Sequence, residues 1–285
     1  IFRRPNIPYK FQQLTEKRLE FYRETPKGFA YGISGASKQF NALQNLPDKA
    51  FFSQKGNNPF NTFETVLRLR YAYLERSIED NFLRVSLGSL YPIADFKFTK
   101  GWKNVLGSNY NYQKIDFNVS QSVKISPYGT LYYNVFAGKV FGTLPYQMLD
   151  ILPGNEMYYY NKFAFNLMQR FEYLSDQFAG FNVEHNFGPG LFKYMPITRK
   201  LKFRQFWSAK GIIGSLSTEN QQLNYVGNYP YRSLDSKPYI ELGTGVDNIL
   251  KFFRVDLVWR VAAPEPINGA LRDKFGIFGS FRFQF

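Results

Sequence analysis

Phe275-Gly-Ile-Phe-Gly-Ser-Phe-Arg-Phe-Gln-Phe285 closes the sequence. In an extended chain, successive side chains point to opposite sides. Phe275, Ile277, Gly279, Phe281, Phe283 and Phe285 therefore share one face, and Gly276, Phe278, Ser280, Arg282 and Gln284 share the other. One face is apolar and the other mostly polar. A soluble sheet produces the same pattern, so the segment decides the fold only together with its neighbours.

Those neighbours repeat it. Lys114–Ile125 puts Ile115, Phe117, Val119, Val123 and Ile125 on one face, with Gln121 the single exception, and Lys114, Asp116, Asn118, Ser120, Ser122 and Lys124 on the other. Phe63–Leu74 sets Phe63, Thr65, Leu67, Leu69, Tyr71 and Tyr73 against Glu64, Arg68 and Arg70. Phe163, Phe165, Leu167 and Phe171 oppose Lys162, Asn166, Arg170 and Glu172. Phe181, Val183 and Phe187 oppose Asn182, Glu184 and Asn186. Leu201, Phe203, Trp207 and Ala209 oppose Lys202, Arg204, Ser208 and Lys210. Phe253, Val255, Leu257, Trp259 and Val261 oppose Arg254, Asp256 and Arg260. Weaker strands are expected at Arg18–Glu24, Gly28–Gln39, Asn81–Ser89, Ala94–Lys103 and Lys237–Val246. Alternation and turn residues together predict about 12–14 strands. Their length suits tilted strands crossing a bilayer, which takes about 9–11 residues.

The expected fold is all-β: a transmembrane antiparallel β-barrel of the outer-membrane type, with aromatics toward lipid and charges toward the lumen. The whole of residues 1–285 is expected to be one barrel domain. A soluble sandwich or lipocalin-like barrel is the alternative, and two features count against it. Aromatics make up 19% of the chain, with 31 Phe and 21 Tyr, more than one soluble core accommodates. The polar faces also carry charges of both signs, which suits a water-filled lumen with ion pairs between strands. A mean hydropathy of -0.35 excludes a helical membrane protein but not a barrel, half of whose strand residues are polar.

Placing Phe285 at the periplasmic side makes Asn41–Thr62 and Leu216–Ser236 long extracellular loops and Val246–Lys251 a short periplasmic turn. The same parity puts Gly142–Tyr158, with Pro145 and Pro153-Gly-Asn155, on the periplasmic side. It is long for that side, and a short helix or plug-like element is expected there. The sequence opens at Ile1 without a signal peptide, and Ile1–Gln13 reads as the middle of something. The chain is therefore expected to be the C-terminal part of a longer protein.

Little catalytic chemistry is available. There is no Cys, so no disulfide framework and no thiolate metal site. His185 is the only His, which leaves no nucleophile–His–acid set and no His-rich metal site; it falls on the lipid face near a strand end. No phosphate-binding glycine loop or EF-hand spacing occurs. No catalytic residue, cofactor or metal is expected. The net charge is +14, yet Lys and Arg are spread along strands rather than clustered, which argues against nucleic acid as a partner.

The charges expected in the lumen are Arg254, Asp256 and Arg260 with Glu241 on a neighbouring strand, together with Arg282, Arg170, Glu172, Glu184, Lys202 and Arg204. Further inward positions are Arg68, Arg70, Arg84, Lys97, Lys114, Lys124, Lys162 and Lys210, with the acids Glu64, Asp95 and Asp116. The surplus is basic, so an open lumen would favour anions.

Several segments carry a resemblance. They are Gly138-Lys-Val-Phe-Gly-Thr-Leu-Pro-Tyr146, Pro153-Gly-Asn155, Phe163-Ala-Phe-Asn-Leu-Met168, Phe171-Glu-Tyr-Leu-Ser-Asp176, Lys200-Leu-Lys-Phe-Arg204 and Tyr239-Ile-Glu-Leu-Gly-Thr-Gly-Val-Asp-Asn-Ile249. The chain resembles the C-terminal barrel region, of unknown function, of Bacteroidota outer-membrane proteins that carry a carboxypeptidase-regulatory-like domain. That resemblance implies a missing periplasmic N-terminal part, and the family label does not imply peptidase activity. Gly243-x-Gly245, then Arg254-x-Asp256 and a final aromatic strand, more faintly resemble the closing strands of barrel insertases and translocators of the BamA and TamA type. That superfamily carries an Arg-Gly-aromatic tip on a long loop folded into the lumen, and the tripeptide does not occur here.

The resemblance implies a role in outer-membrane protein assembly or translocation. A sealed scaffold subunit, or an anion-preferring channel, is the alternative. The implied partners are outer-membrane lipid and lipopolysaccharide, the barrel-assembly machinery during biogenesis, and other subunits of an outer-membrane complex. Phe281, Phe283 and Phe285 look like the C-terminal signal that this machinery reads.

Overall fold

A computed structural model describes residues 3–5, 7–47, 61–80, 83–225, 231–264 and 274–281. Its strands are β1 (Phe11–Glu24), β2 (Phe29–Gln44), β3 (Asn61–Ala72), β4 (Arg76–Asp80), β5 (Leu83–Gly88), β6 (Ile93–Gly101), β7 (Tyr112–Lys124), β8 (Thr130–Phe141), β9 (Asp150–Ile151), β10 (Leu174–Ser175), β11 (Gln177–Asn186), β12 (Arg204–Ser215), β13 (Tyr239–Ile249), β14 (Phe253–Ala262) and β15 (Phe275–Phe281). Eleven of them form one antiparallel sheet in the order β1-β2-β3-β6-β7-β8-β11-β12-β13-β14-β15. The two remaining pairs, β4–β5 and β9–β10, are separate two-stranded sheets. No described helix is long and apolar enough to cross a membrane.

The faces follow the alternation. On β15, Phe275, Ile277 and Phe281 are exposed while Phe278 and Ser280 are buried. On β2, Phe29 and Ile33 are exposed while Ala30, Ser34 and Ala36 are buried. On β12, Trp207 and Ile213 point out and Phe206, Lys210 and Ile212 point in. The odd polar residue on the outer face of β7, Gln121, is satisfied. Its Nε2 donates to the Leu90 carbonyl at 2.6 Å, and its Oε1 accepts from the Tyr133 hydroxyl at 2.8 Å. The turn after β7 is tight: Ile125 N–H donates to Gly129 O at 2.8 Å. Gly129 has φ +94°, and a Cβ there would sit 1.9 Å from the Asn186 carbonyl oxygen, so only glycine fits.

Two expected strands are not part of the sheet. Asn81–Ser89 was placed on a wall strand of its own, but Leu83–Gly88 pairs only with β4, and Asn81 itself lies outside the described residues. Lys162–Glu172 forms no strand at all. Losing these two strands flips the end assigned to everything between them. Gly142–Tyr158 therefore leaves the sheet at the same rim as the β2–β3 and β12–β13 connections, not at the opposite one. The main sheet holds eleven strands among the described residues, and the expected count included these two segments.

The sheet wraps around its own interior. Residues 142–176, between β8 and β11, touch it at both ends. Tyr146 and Phe171 share a buried cluster with Phe40 of β2. Tyr160 N–H donates to Gly279 O of β15 at 3.0 Å, and Gly279 N–H donates to Tyr158 O at 2.9 Å. A segment that meets β2 and β15 at once lies inside a curled wall, which is the β-barrel arrangement. Among the described residues, β1 and β15 pair with no other strand of the sheet on their outer edges.

Candidate functional site

The interior segment 142–176 is a plug, and its core is closely buried. Phe165, Met168, Tyr173, Leu174 and Asn166 are 0% exposed. Leu167 packs with Tyr160, Val258 and Phe278, joining the plug to β14 and β15. Phe165 meets Tyr239 of β13 edge-on, ring centroids 5.2 Å apart. Full burial of each such side chain stabilises by about 1.5–3 kcal/mol.

Apart from the two-residue β9–β10 pairing this backbone has no ladder of its own, so its polar groups need other partners. Glu241 on β13 supplies two of them: Oε2 accepts the N–H of Asn166 and Oε1 that of Leu167, both at 2.8 Å. Its Oε1 also accepts from the Tyr239 hydroxyl at 2.8 Å. Lys210 on β12 donates to the carbonyls of Asn161 and Ala164, each at 2.6 Å. Arg260 on β14 donates to Leu167 O at 2.5 Å and lies 3.9 Å from Glu172. The wall thus presents both a carboxylate to the plug's N–H groups and cations to its carbonyls.

Beneath this contact lies Arg254, which is 0% exposed. Its Nε and Nη2 reach Asp256 at 2.6–2.9 Å, and Nη2 reaches Glu184 of β11 at 3.0 Å. Its guanidinium lies over the rings of Phe206, 4.0 Å away, and Tyr160 of the plug, 4.7 Å away. Lys210 Nζ sits over the same Tyr160 ring at 4.8 Å. One plug aromatic therefore rests between two buried cations.

Further ties come from elsewhere. Asp150 of the plug lies 3.6 Å from Lys114 on β7, and burial pushes the Asp150 carboxyl above its ordinary pKa. Arg3 pairs with Glu156 at 2.7 Å, and Arg4 donates to Asn155 O at 3.1 Å. The short helix Thr218–Asn224 is tied to the start of the plug. Asn220 Oδ1 accepts the Leu144 N–H, and Asn224 Nδ2 donates to Leu144 O, both at 2.8 Å.

The structure brings Arg254, Asp256 and Glu184 together directly, and joins Arg260, Glu241 and Glu172 through the plug. Glu172 comes from the plug and not from a strand. Arg204 begins β12 opposite Asp247. Two expected members of the network lie elsewhere. Arg170 is exposed, with its carbonyl accepting from Lys10 at 3.2 Å, and Lys202 is exposed at the end of a short helix. Arg170 was assigned to a strand that does not form, and Lys202 to one that begins only at Arg204. Arg282, Phe283 and Phe285 lie outside the described residues, as does the side chain of Arg84; Phe281 is half exposed on the outer face. Lys210, expected to point inward, does so and binds the plug; the expected network lacks Tyr160 and Asn166. The Pro153-Gly-Asn155 interruption was the one sequence sign that a strand could not pass here.

Beside the plug, an open cavity of about 460 Å³ remains against β1, β2, β3, β6 and β7. Arg18, Lys38, Arg68 and Lys97 line it with Glu20, Glu64, Asp95 and Asp116, four bases against four acids. Lys38 lies 2.5 Å from Glu64, which also accepts from the Tyr112 hydroxyl, and Arg68 lies 3.0 Å from Asp95. The plug contact adds Lys210, Arg254 and Arg260 against Glu172, Glu184, Glu241 and Asp256. These interior groups carry no basic surplus.

Comparison with known proteins agrees with this architecture. BamA from Haemophilus ducreyi, solved without its POTRA domains 1–3, matches with a TM-score of 0.56 at 10% identity, over 96% of this chain and 55% of that one. This chain thus spans about half of that structure, and at this identity the likeness concerns the fold. No curated protein matches the sequence. A family profile described as "Family of unknown function (DUF5686) C-terminal domain" matches residues 10–246. The chain belongs to that family.

Proposed function

We propose that this chain is an outer-membrane β-barrel that takes part, without catalysis of its own, in the assembly or translocation of other outer-membrane proteins, as the barrel or as an accessory subunit. The observation that carries this is the plug, held by Glu241, Lys210 and Arg260 on three consecutive wall strands. A few charge-assisted bonds on one stretch of wall form a latch that one event could release. The likeness of fold to BamA supports the same reading. A sealed scaffold is the second reading, favoured by the complete burial of Arg254 and Asn166. The balanced charges of the open cavity give the anion channel no support.

The test is a locked plug. Tyr159 and Gly279 form a parallel bridge, so their Cα atoms lie about 4.8 Å apart, within disulfide reach. The sequence has no cysteine, so Tyr159→Cys with Gly279→Cys introduces the only thiols into this region. Oxidation in cells should lower the amount of folded outer-membrane barrel proteins, and reductant should restore it. No change on locking would favour the scaffold.

A further inference from the structure

The interior is charge-balanced, so the formal charge of +14 resides elsewhere. Part of it gathers at the rim opposite the plug's entry. There the β7–β8 turn, the β11–β12 connection and the β13–β14 turn sit side by side. His185 Nε2 lies 2.8 Å from Tyr128 O, and Asn248 Nδ2 donates to Lys202 O at 2.8 Å, which ties the three together. Lys124, Lys193, Lys200, Lys202 and Lys251 are all exposed here. The acid at this stretch of rim, Asp247, is 3% exposed and faces inward.

Large apolar side chains stand among the lysines. Tyr128 is 66% exposed, Tyr194 74% and Leu250 76%, with Met195 and Leu201 half exposed. The β11–β12 connection carries several of them on a 3-10 turn (Gly190–Tyr194) and a short helix (Pro196–Leu201). Lys193 Nζ lies over the Tyr194 ring at 4.8 Å. Below them, Phe187 stacks on His185 at 3.9 Å and meets Trp207 on the outer face of β12 at 4.9 Å. The outer aromatic face therefore runs without a break into a rim of apolar and cationic side chains. Water alone does not suit such a surface, and a purely apolar partner would leave the ammonium groups without anions. A lipid headgroup layer offers both: acyl chains and glycerol for the aromatics, phosphate for the lysines.

We infer that this rim is a docking surface for the headgroups of anionic glycerophospholipid, with the β11–β12 connection lying in the headgroup plane. The inference rests on the outer-membrane reading above and adds a leaflet chemistry and a set of residues to it. Each lysine at a phosphate surface strengthens binding about fivefold.

The full-length protein would be purified from its own outer membrane in mild detergent. It would then be exposed to an equal mixture of phosphatidylglycerol and phosphatidylcholine, and the retained lipid counted by native mass spectrometry. Wild type should retain phosphatidylglycerol preferentially. A variant with Lys193→Gln, Lys200→Gln, Lys202→Gln and Lys251→Gln should lose that preference by at least about tenfold. A control with Lys103→Gln, Lys139→Gln, Lys237→Gln and Lys274→Gln, all at the opposite rim, should keep it. Tyr194→Ser with Leu250→Ser should reduce retention of both lipids. Equal loss in both lysine variants, or loss in neither, would overturn the inference, as would displacement of the lipid by millimolar inorganic phosphate. Density-gradient fractionation separates the two levels of the argument. Absence from the outer membrane sinks the functional reading, whereas correct location without lipid preference sinks only this inference.

Discussion

Glu241 on β13 accepts the backbone N–H groups of both Asn166 and Leu167, each at 2.8 Å. One wall carboxylate thereby satisfies two successive donors of a segment that has no ladder at that point. The contact is 1% exposed at Glu241 and 0% at Asn166, so water cannot substitute for it.

Replacing Glu241 with Ala should free the plug. It removes two charge-assisted acceptors and leaves buried donors without their anion, at about 3 kcal/mol. Arg170 is exposed, so trypsin provides the readout. Cleavage after Arg170 in the folded barrel should accelerate by about 100-fold, because it follows the population of the opened plug. An unchanged rate would mean that apolar packing alone holds the plug.

Arg254→Ala should be the most destabilising single change in the wall. It strands Asp256 and Glu184 together in a buried site, at about 3–5 kcal/mol. The triple change Arg254→Met, Asp256→Asn and Glu184→Gln should recover most of the loss, since no unpaired charge remains. Urea unfolding in detergent micelles would compare the two, and equal loss in both would refute the charge argument.

Conductance in planar bilayers should be low for the wild type and higher for Glu241→Ala. The cavity beside the plug has four bases against four acids, so the current should show little preference for anions over cations. A strongly anion-selective reversal potential would contradict this.

The β4–β5 hairpin should loosen in acid. Hydrogen bonds from Arg70, at 2.7 and 2.8 Å, hold the Glu75 carboxyl below its ordinary pKa, and the Ser86 hydroxyl adds another. A carboxylate with a lowered folded pKa stabilises above its unfolded value of about 4.3 and loses that contribution as pH falls through the folded one. Amide exchange at Ile78 should therefore rise below about pH 4 in the wild type. Glu75→Gln should show the faster exchange already at neutral pH, with no acid dependence.

The wall was legible because a strand with one face inward and one outward must alternate, and β7, β12, β14 and β15 do so almost without exception. Buried Arg254 and Asp256 were legible for the same reason: charges on the inward parity of an apolar strand need one another. The β4–β5 hairpin was misplaced because alternation does not say which strand a strand pairs with. Arg170 was misplaced because its segment folds into the plug and not into a strand, and Lys202 because it ends a short helix that precedes the start of β12 at Arg204.

The plug marks the boundary between the two kinds of information. Phe163, Phe165, Leu167 and Phe171 share one parity of Lys162–Glu172, as on a wall strand, yet residues 164–168 bury both faces. Phe165 meets Tyr239, while Asn166 on the opposite parity meets Glu241. Period two reports only that neighbouring side chains differ in polarity. By itself the sequence determined the sheet, its outward aromatic face and its inward charges, because those depend on local alternation along each strand. Only the tertiary structure decided that one alternating segment lies inside the barrel. That choice depends on the distant ammonium of β12, carboxylate of β13 and guanidinium of β14 satisfying a backbone that has no ladder at that point.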